Sequence, residues 1–360
     1  MNRVDEDLRW MRRCLELAAR GGRAVEPNPR VGSVVVKDGR VIGEGWHECL
    51  GGSHAERKAL GEVSEDPAGA TLYVSLEPCH LYGRTPPCTE AILEAGITRV
   101  VYAMDDPNPA ESGMSKSLLQ AAGLEVESGI LMEDARELNP GYLSLQERGR
   151  PFITLKSAGT LNGMLARADG SSKWITGEDA RREGHRLRAT AGAVAVGAET
   201  ARLDHPALDL RLIDDTDPPP RPVVFEGAES LCPVDLNWQD RKPLLLVPDS
   251  TDRSAHEAAG WKVLHLPKGE SAGVDLSAAM FALADEGIAN LMVEGGGRLL
   301  TSFISAGLWD RWEHFMAAKV FPADGRPLWT LPTDGPTARI KHIERRGENL
   351  QISLIPEGEN

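Results

Sequence analysis

Three side chains constrain this chain more than any others. His54, Cys79 and Cys88 offer one imidazole and two thiols, and Glu56 stands two residues after the histidine. One histidine and two thiolates are a donor set for tetrahedral zinc. A zinc with three protein ligands keeps its fourth position for water, whose pKa falls to about 7. Glu56 then reads as the general base that takes the water's proton and later returns it. Residues i and i+2 do not share a helix face. The spacing therefore predicts that His54 caps a helix, where the backbone is not yet helical and both side chains can reach one ion. Pro86-Pro87-Cys88-Thr89 reads as a second helix start, which puts Cys88 at the positive end of the dipole and favours its thiolate. Any one of these residues alone is better read as a cap or a small buried hydrophobe. Together they require a fold in which two loops, each opening a helix, converge on one metal.

At 360 residues, 41% hydrophobic and 26% charged, the chain can build two domains with full cores. The start, Met1 to Asp7, is charged and lacks the apolar core of a signal peptide, and no run approaches ~18 apolar residues. A cytoplasmic protein without a membrane partner is expected. Five cysteines at irregular spacing argue against a disulfide framework; Cys14, Cys49 and Cys232 read as packing residues. A net charge of -14 disfavours nucleic acid, whose phosphates supply most non-specific affinity. A small anionic substrate held by local arginines remains compatible.

Periodicity places a helix over Leu8 to Arg20, with Leu8, Met11, Leu15 and Ala18 apolar. Val31 to Lys37 and Val41 to Trp46, joined by Asp38-Gly39, read as a hairpin. Strands are expected at Thr71 to Ser75, Arg99 to Met104 and Leu124 to Glu127, alternating with helices that start near His54, Cys88 and Ser115. That order predicts an α/β sheet with a hairpin at one end and parallel crossovers after it. The metal residues fall at the carboxyl ends of strands, where open α/β sheets bind ligands.

His-x-Glu followed by Pro-Cys and a further Cys is similar to the zinc deaminase signature, in which a non-ligand Glu shuttles protons. That signature has two residues between the cysteines, and here there are eight. The longer loop, together with Glu26-Pro27-Asn28-Pro29-Arg30-Val31-Gly32, Gly51-Gly52-Ser53-His54-Ala55-Glu56, Gly83-Arg84-Thr85-Pro86-Pro87 and Asp105-Asp106-Pro107-Asn108-Pro109, resembles the bifunctional riboflavin-biosynthesis deaminase/reductase family. The resemblance implies a cytidine-deaminase-like zinc domain over residues 1–148. It implies hydrolytic deamination of 2,5-diamino-6-(5-phosphoribosylamino)pyrimidin-4-one, with Asn28, His47, Arg84, Asp106 and Asn108 holding ring, ribose and phosphate. Read without the resemblance, Asn28 and Asn108 are turn residues beside proline and Arg84 is a solvated charge. The family usually has Ser-His after Pro-Cys, where this chain has His80-Leu81-Tyr82. It usually has Gly-Arg-Gly after Asp-Pro-Asn-Pro, where this chain has Ser112-Gly113-Met114-Ser115. Both departures fall around the substrate rather than the metal.

A polar linker, Gln146-Glu147-Arg148-Gly149-Arg150-Pro151, marks the boundary. Beyond it strands are expected at Phe152 to Ala158, Ala193 to Gly197, Pro222 to Glu226, Pro243 to Val247, Val263 to Leu266 and Ala289 to Glu294, with helices at Glu178 to Arg188 and Gly297 to Ala306. Glu294-Gly295-Gly296-Gly297 follows a strand and opens a helix, as a phosphate-binding turn does. With Lys156, Ser171 to Thr176, Arg188 and Gly197 to Thr200, this half resembles the dihydrofolate-reductase-like part of the same family, over residues 149–360. The resemblance implies that Ala158, Trp174, Thr200, Asp204 and Gly296 contact NADPH. It implies that Lys156, Ser172, Arg188, Leu208, Arg211 and Glu294 contact the phosphoribosyl substrate while its ribose is reduced to a ribityl chain. It also implies a homo-oligomer built through this half. The usual Leu-Asp-Gly is Leu161-Asn162-Gly163 here, and Asp-Asp-Pro is Asp204-His205-Pro206. Two rivals follow from the same residues. A nucleic-acid-editing deaminase is opposed by the charge and by the second half; a paralogue with one active half, or with another pyrimidine or purine substrate, would explain the departures.

Overall fold

Short apolar runs separated by amphipathic segments divide the chain into two units, Met1–Gly149 and Arg150–Asn360. The computed structural model describes residues 2–83, 86–169, 175–215, 217–226, 231, 236, 238–249, 252–269, 273–330 and 335–358. In the first unit the order is α1 (Arg3–Ala19), β1 (Gly32–Lys37), β2 (Arg40–Trp46), α2 (Ala55–Gly61), β3 (Thr71–Val74), α3 (Cys88–Glu94), β4 (Arg99–Tyr102), α4 (Met114–Ala121), β5 (Glu125–Ser128), α5 (Met132–Leu138) and α6 (Pro140–Arg148). The sheet order is β2-β1-β3-β4-β5. The hairpin is antiparallel, turning at Asp38 and Gly39, whose φ values of 50° and 71° are left-handed. From β3 onward the strands are parallel. Val34, Val35 and Val36 are buried on both faces of β1, as strands covered by helices on each side must be.

The helix α1 has the expected period, but its buried stripe is Asp7, Trp10, Met11, Cys14, Leu17 and Ala18 rather than the one centred on Leu8 and Leu15. Asp7 tolerates burial because Arg99 donates to both its oxygens at 2.7 and 2.8 Å, and Tyr73 Oη donates at 2.7 Å. The helix lies so close to β1 that a Cβ on Gly32 would meet the Cys14 carbonyl oxygen at 2.1 Å. Only glycine fits there.

The residues expected to form a linker are partly helical. Gln146 to Arg148 complete α6, and Gly149 ends it at φ 66°. In the second unit β6 (Phe152–Thr160), β7 (Met164–Ala166), α7 (Glu178–Ala189), β8 (Ala193–Gly197), α8 (Ala198–Asp204), β9 (Arg221–Phe225), β10 (Leu244–Pro248), α9 (Ser254–Ala258), β11 (Lys262–Leu266), α10 (Leu276–Asp285), β12 (Asn290–Val293), α11 (Gly297–Ser305), β13 (Arg311–Ala317), β14 (Arg326–Pro327), β15 (Ala338–Arg346) and β16 (Asn349–Pro356) follow. The main sheet runs β11-β10-β9-β8-β12-β6-β13-β16-β15. It is parallel from β11 to β13, and β16 and β15 add an antiparallel edge absent from the sequence expectation. Ile153, Leu155, Leu291 and Val293 pack on one face with Leu300 and Phe303 of α11. Val194, Val196, Val224 and Met292 pack on the other. No described helix is long and apolar enough to cross a membrane.

Candidate functional site

His54 is the N-cap of α2, extended at φ -68° and ψ 156°. Its Nδ1 lies 3.4 Å from the Sγ of Cys79 and 3.4 Å from the Sγ of Cys88. Bonds of about 2.1 Å to nitrogen and 2.3 Å to sulfur put the donors of a tetrahedral zinc ~3.6 Å apart. The three atoms thus fit the ion. Cys79 follows the carboxyl end of β3, while Cys88 is the first residue of α3 and its N–H donates to Cys79 Sγ at 3.3 Å. Donation from the Cys88 thiol, helped by His54, brings Cys79 down to about 4. The same bond and burial push the Cys88 thiol up. His54 is raised to about 9, chiefly by Cys79. Glu56 is buried at the start of α2, and burial followed by the Cys79 charge raises it to about 7. A carboxyl that titrates near neutrality can both take and return a proton.

Two loops border this centre. Asn28 Nδ2 lies 3.3 Å from His47 Nε2, and the His47 ring stands edge-on to His54 with centroids 5.9 Å apart. His47 is buried, its Nδ1 3.1 Å from the Ser53 carbonyl oxygen, and burial lowers its pKa. The second loop leaves the carboxyl end of β4. Asp106 is buried and accepts from Asn108 N–H at 2.9 Å, while Asn108 Oδ1 accepts from Ala110 N–H at 3.1 Å. Both side chains therefore make the turn bonds that residues beside proline favour, and Asp106 also takes part in a wider network. Arg84 lies outside the described residues. Sequence reasoning missed Glu77, whose buried carboxylate accepts from Asp106 N–H at 3.2 Å, Gly113 N–H at 2.9 Å and Ser115 Oγ at 2.7 Å. Its place in Leu76-Glu77-Pro78-Cys79 was the available signal.

In the second unit, Lys156 on β6 and Glu294 after β12 lie on neighbouring strands. Arg188 in α7 forms a two-pronged pair with Glu294, Nη2 to Oε2 at 2.8 Å and Nε to Oε1. Burial works to raise Glu294, but Arg188 and then Lys156 hold it at about 2. Burial lowers Lys156, opposed by Glu294. His185, one turn before Arg188 on α7, is buried and was not anticipated; burial, Arg188 and Arg211 bring it to about 4. Its signal was the i, i+3 spacing to Arg188. Arg211 is exposed and pairs with Asp209 at 2.6 Å. The Leu208 side chain is in the core, and its carbonyl accepts from Arg241 at 2.7 Å, so any contact it makes with a ligand would be through backbone.

Gly296 N–H donates to Thr200 Oγ1 at 3.2 Å, joining the ends of β12 and β8. No side chain caps α11, so its first-turn N–H groups can face an anion, as a dinucleotide phosphate requires. The flanking glycines serve packing instead: a Cβ on Gly295 would meet Leu299 at 2.8 Å, and one on Gly297 the Leu328 carbonyl at 2.7 Å. Ala158 is half-buried on β6 and Asp204 is exposed at the end of α8. Ser172 and Trp174 lie outside the described residues.

Two families match the chain by sequence. The cytidine and deoxycytidylate deaminase zinc-binding region covers residues 4–104, and the RibD C-terminal domain covers residues 151–352. The riboflavin biosynthesis protein RibD of Aquifex aeolicus is 40% identical over 97% of both chains, and that of Escherichia coli is 36% identical over 97% of this chain and 99% of its own. The chain belongs to the RibD family. Among solved structures, Acinetobacter baumannii RibD superposes with a TM-score of 0.90 at 33% identity, covering 98% of this chain and 99% of that one. A Thermotoga maritima diaminohydroxyphosphoribosylaminopyrimidine deaminase/5-amino-6-(5-phosphoribosylamino)uracil reductase superposes at 0.86 and 32%, covering 99% and 100%. As a RibD-family member, the chain is a riboflavin-biosynthesis enzyme with a zinc-dependent deaminase activity and an NADPH-dependent reductase activity.

Three of the positions expected to depart from the family pattern, His80, Asn162 and His205, have defined local settings. The His80 N–H donates to Glu111 Oε2 at 2.9 Å and His80 Nδ1 lies 2.7 Å from the same oxygen, tying the Cys79 loop to the Asp106 loop. Asn162 accepts from Phe321 N–H at 3.1 Å and donates to the Phe321 carbonyl at 2.8 Å. An amide can do both; a carboxylate can only accept. Asn162→Asp should therefore lower stability by about 1–3 kcal/mol, the cost of stranding a part-buried acceptor beside a charge, measured by chemical denaturation. Unchanged stability would show the clamp to be idle. His205 is the left-handed C-cap of α8 at φ 42°, so that departure falls on a helix ending.

Proposed function

We propose that residues 1–148 deaminate 2,5-diamino-6-(5-phosphoribosylamino)pyrimidin-4-one and residues 149–360 reduce the ribosyl group of the product to a ribityl chain. The observation that carries the first step is the preformed His54, Cys79 and Cys88 triangle beside the buried Glu56 carboxyl. Bound zinc supplies an acidic water and Lewis acidity. Glu56 would accept a proton from the attacking water and pass protons to the ring nitrogen and the departing amine. Asn28, His47, Arg84, Asp106 and Asn108 would hold the ring, ribose and phosphate. In the second unit NADPH supplies hydride. Gly296 and Thr200 offer the turn that would hold its phosphates, with Ala158, Trp174 and Asp204 completing the contact. Lys156, Arg188 and Glu294 would fix the open-chain sugar imine and its phosphate, with Ser172, Leu208 and Arg211. Removing zinc with a chelator should stop ammonia release yet leave NADPH-dependent reduction of the deaminated compound intact. Loss of both, or of neither, would contradict the division of labour.

A cytoplasmic setting is part of this reading, supported by cysteines used as free thiols. So is a homo-oligomer through the second unit. On one face of β13, β16 and β15 the residues Trp312, Ile352, Leu354, Ile340 and Ile343 align across the strands. Ile340 and Ile343 are 56% and 52% exposed, and Trp329, whose ring packs 4.9 Å from Trp312, is 36% exposed. A contiguous apolar face of this kind is characteristic of subunit contacts. Ile343→Asp should shift the mass measured by light scattering from oligomer to monomer. An unchanged mass would remove this surface from the account.

A further inference from the structure

Both loops that border the metal centre are held by the first turn of one helix, α6, to which no function is assigned. Asn139, its N-cap, is buried. Its Oδ1 accepts from Arg30 N–H at 2.7 Å and its Nδ2 donates to the Arg30 carbonyl at 3.0 Å. That two-way bond imitates a strand pairing and fixes the Arg30 backbone, two residues after Asn28. Three residues later, on the same side of the helix, Tyr142 Oη donates to Asp106 Oδ1 at 2.7 Å. Glu77 and Glu111 also bind the Asp106 loop to the segment that carries Cys79. The Asp106 loop is thus tied to the Cys79 segment on one side and to α6 on the other, and the Asn28 loop is tied to α6 through Arg30.

We propose that Asn139 and Tyr142 are positioning residues of the deaminase reaction, acting through Asn28 and Asp106 to set where the pyrimidine ring stands relative to the metal centre. The inference rests on the assignment of those two residues to the substrate. It predicts a defect in substrate binding rather than in the chemical step, because Glu56 and the zinc ligands keep their own supports.

The test uses the full chain with measured zinc content and follows ammonia release from the diaminopyrimidinone ribosyl phosphate. Tyr142→Phe should raise KM about tenfold and leave kcat within about twofold, the split expected when binding shared by ground and transition states is lost. Asn139→Asp keeps the acceptor and loses the donor, and should raise KM in the same manner by about threefold to tenfold. Zinc content and NADPH-dependent reduction by the same chain should not change. In an Asp106→Ala background, Tyr142→Phe should add nothing, because the oxygen that accepts from it is already gone. An equal KM effect in that background, an unchanged KM with Tyr142→Phe and Asn139→Asp, or a loss of zinc or of reduction along with deamination would overturn the positioning role. If Asp106→Ala alone leaves deamination untouched, the substrate assignment fails first and the inference falls with it.

Discussion

Replacing Glu56 with glutamine should lower ammonia release by about 100-fold to 10,000-fold, the usual contribution of a positioned acid and base, while zinc stays bound. The carboxyl is buried beside His54, Cys79 and Cys88, and burial first, then the Cys79 charge, raises it to about 7. Glutamine keeps the shape and loses the ability to take a proton. The comparison that isolates this role is Cys88→Ser, which should lose metal and activity together. Metal analysis alongside the rate separates the two. A Glu56→Gln enzyme that deaminates within tenfold of the original would remove the proton shuttle from the account.

Glu294→Gln should have the largest effect on the second unit. Arg188 and Glu294 form a two-pronged pair with side chains only 15% and 11% exposed. Breaking a buried pair leaves the partner charge stranded and costs about 3–5 kcal/mol. NADPH oxidation should fall with it, since the pair also frames Lys156. The pH dependence has a definite sign. Burial opposes ionisation of Glu294, but Arg188 and Lys156 outweigh it and set the folded carboxyl at about 2, below its usual 4.5. Its contribution is therefore fully present above about pH 4.5 and is lost as pH falls toward 2. The stability difference between the original chain and Glu294→Gln, read from denaturant melts across this range, should shrink steadily on acidification. A difference that stays constant to pH 2 would mean that the pair does not stabilise the fold.

The metal centre was legible because it depends on side-chain chemistry at helix starts, and His54 and Cys88 occupy those positions. The parallel strands were legible for a different reason: β8 and β10 are uninterrupted apolar runs, as strands covered on both faces must be. What escaped was whatever mixed the two signals. The helix α5 buries only Ala135, so it shows no apolar stripe, and Asn139-Pro140 looks like a break although proline is well placed at a first helical position. The residues that grip the Asn28 and Asp106 loops were hidden there. In β13 the buried phase includes Glu313, which is satisfied by Gln351 Nε2 at 2.9 Å and Ser353 Oγ at 2.5 Å on β16. A pattern that needs its partner strand to make sense cannot be read alone. The strand β15 is exposed along most of its length and mixes Ile340 and Ile343 with mostly basic residues, so its composition alone does not mark it as sheet. The glycine turn before α11 was found, but two of its three glycines serve contacts with Leu299 and Leu328 rather than a ligand.

The most direct test of two chemistries in one chain is a single assay with two separate readouts. The purified protein, its zinc content measured, is given the diaminopyrimidinone ribosyl phosphate and NADPH, and ammonia and NADPH are followed independently. The account predicts zinc in a one-to-one ratio with the chain, ammonia appearing first, and NADPH oxidation following in equal amount. Zinc without ammonia, or NADPH oxidation without prior ammonia release, would contradict it.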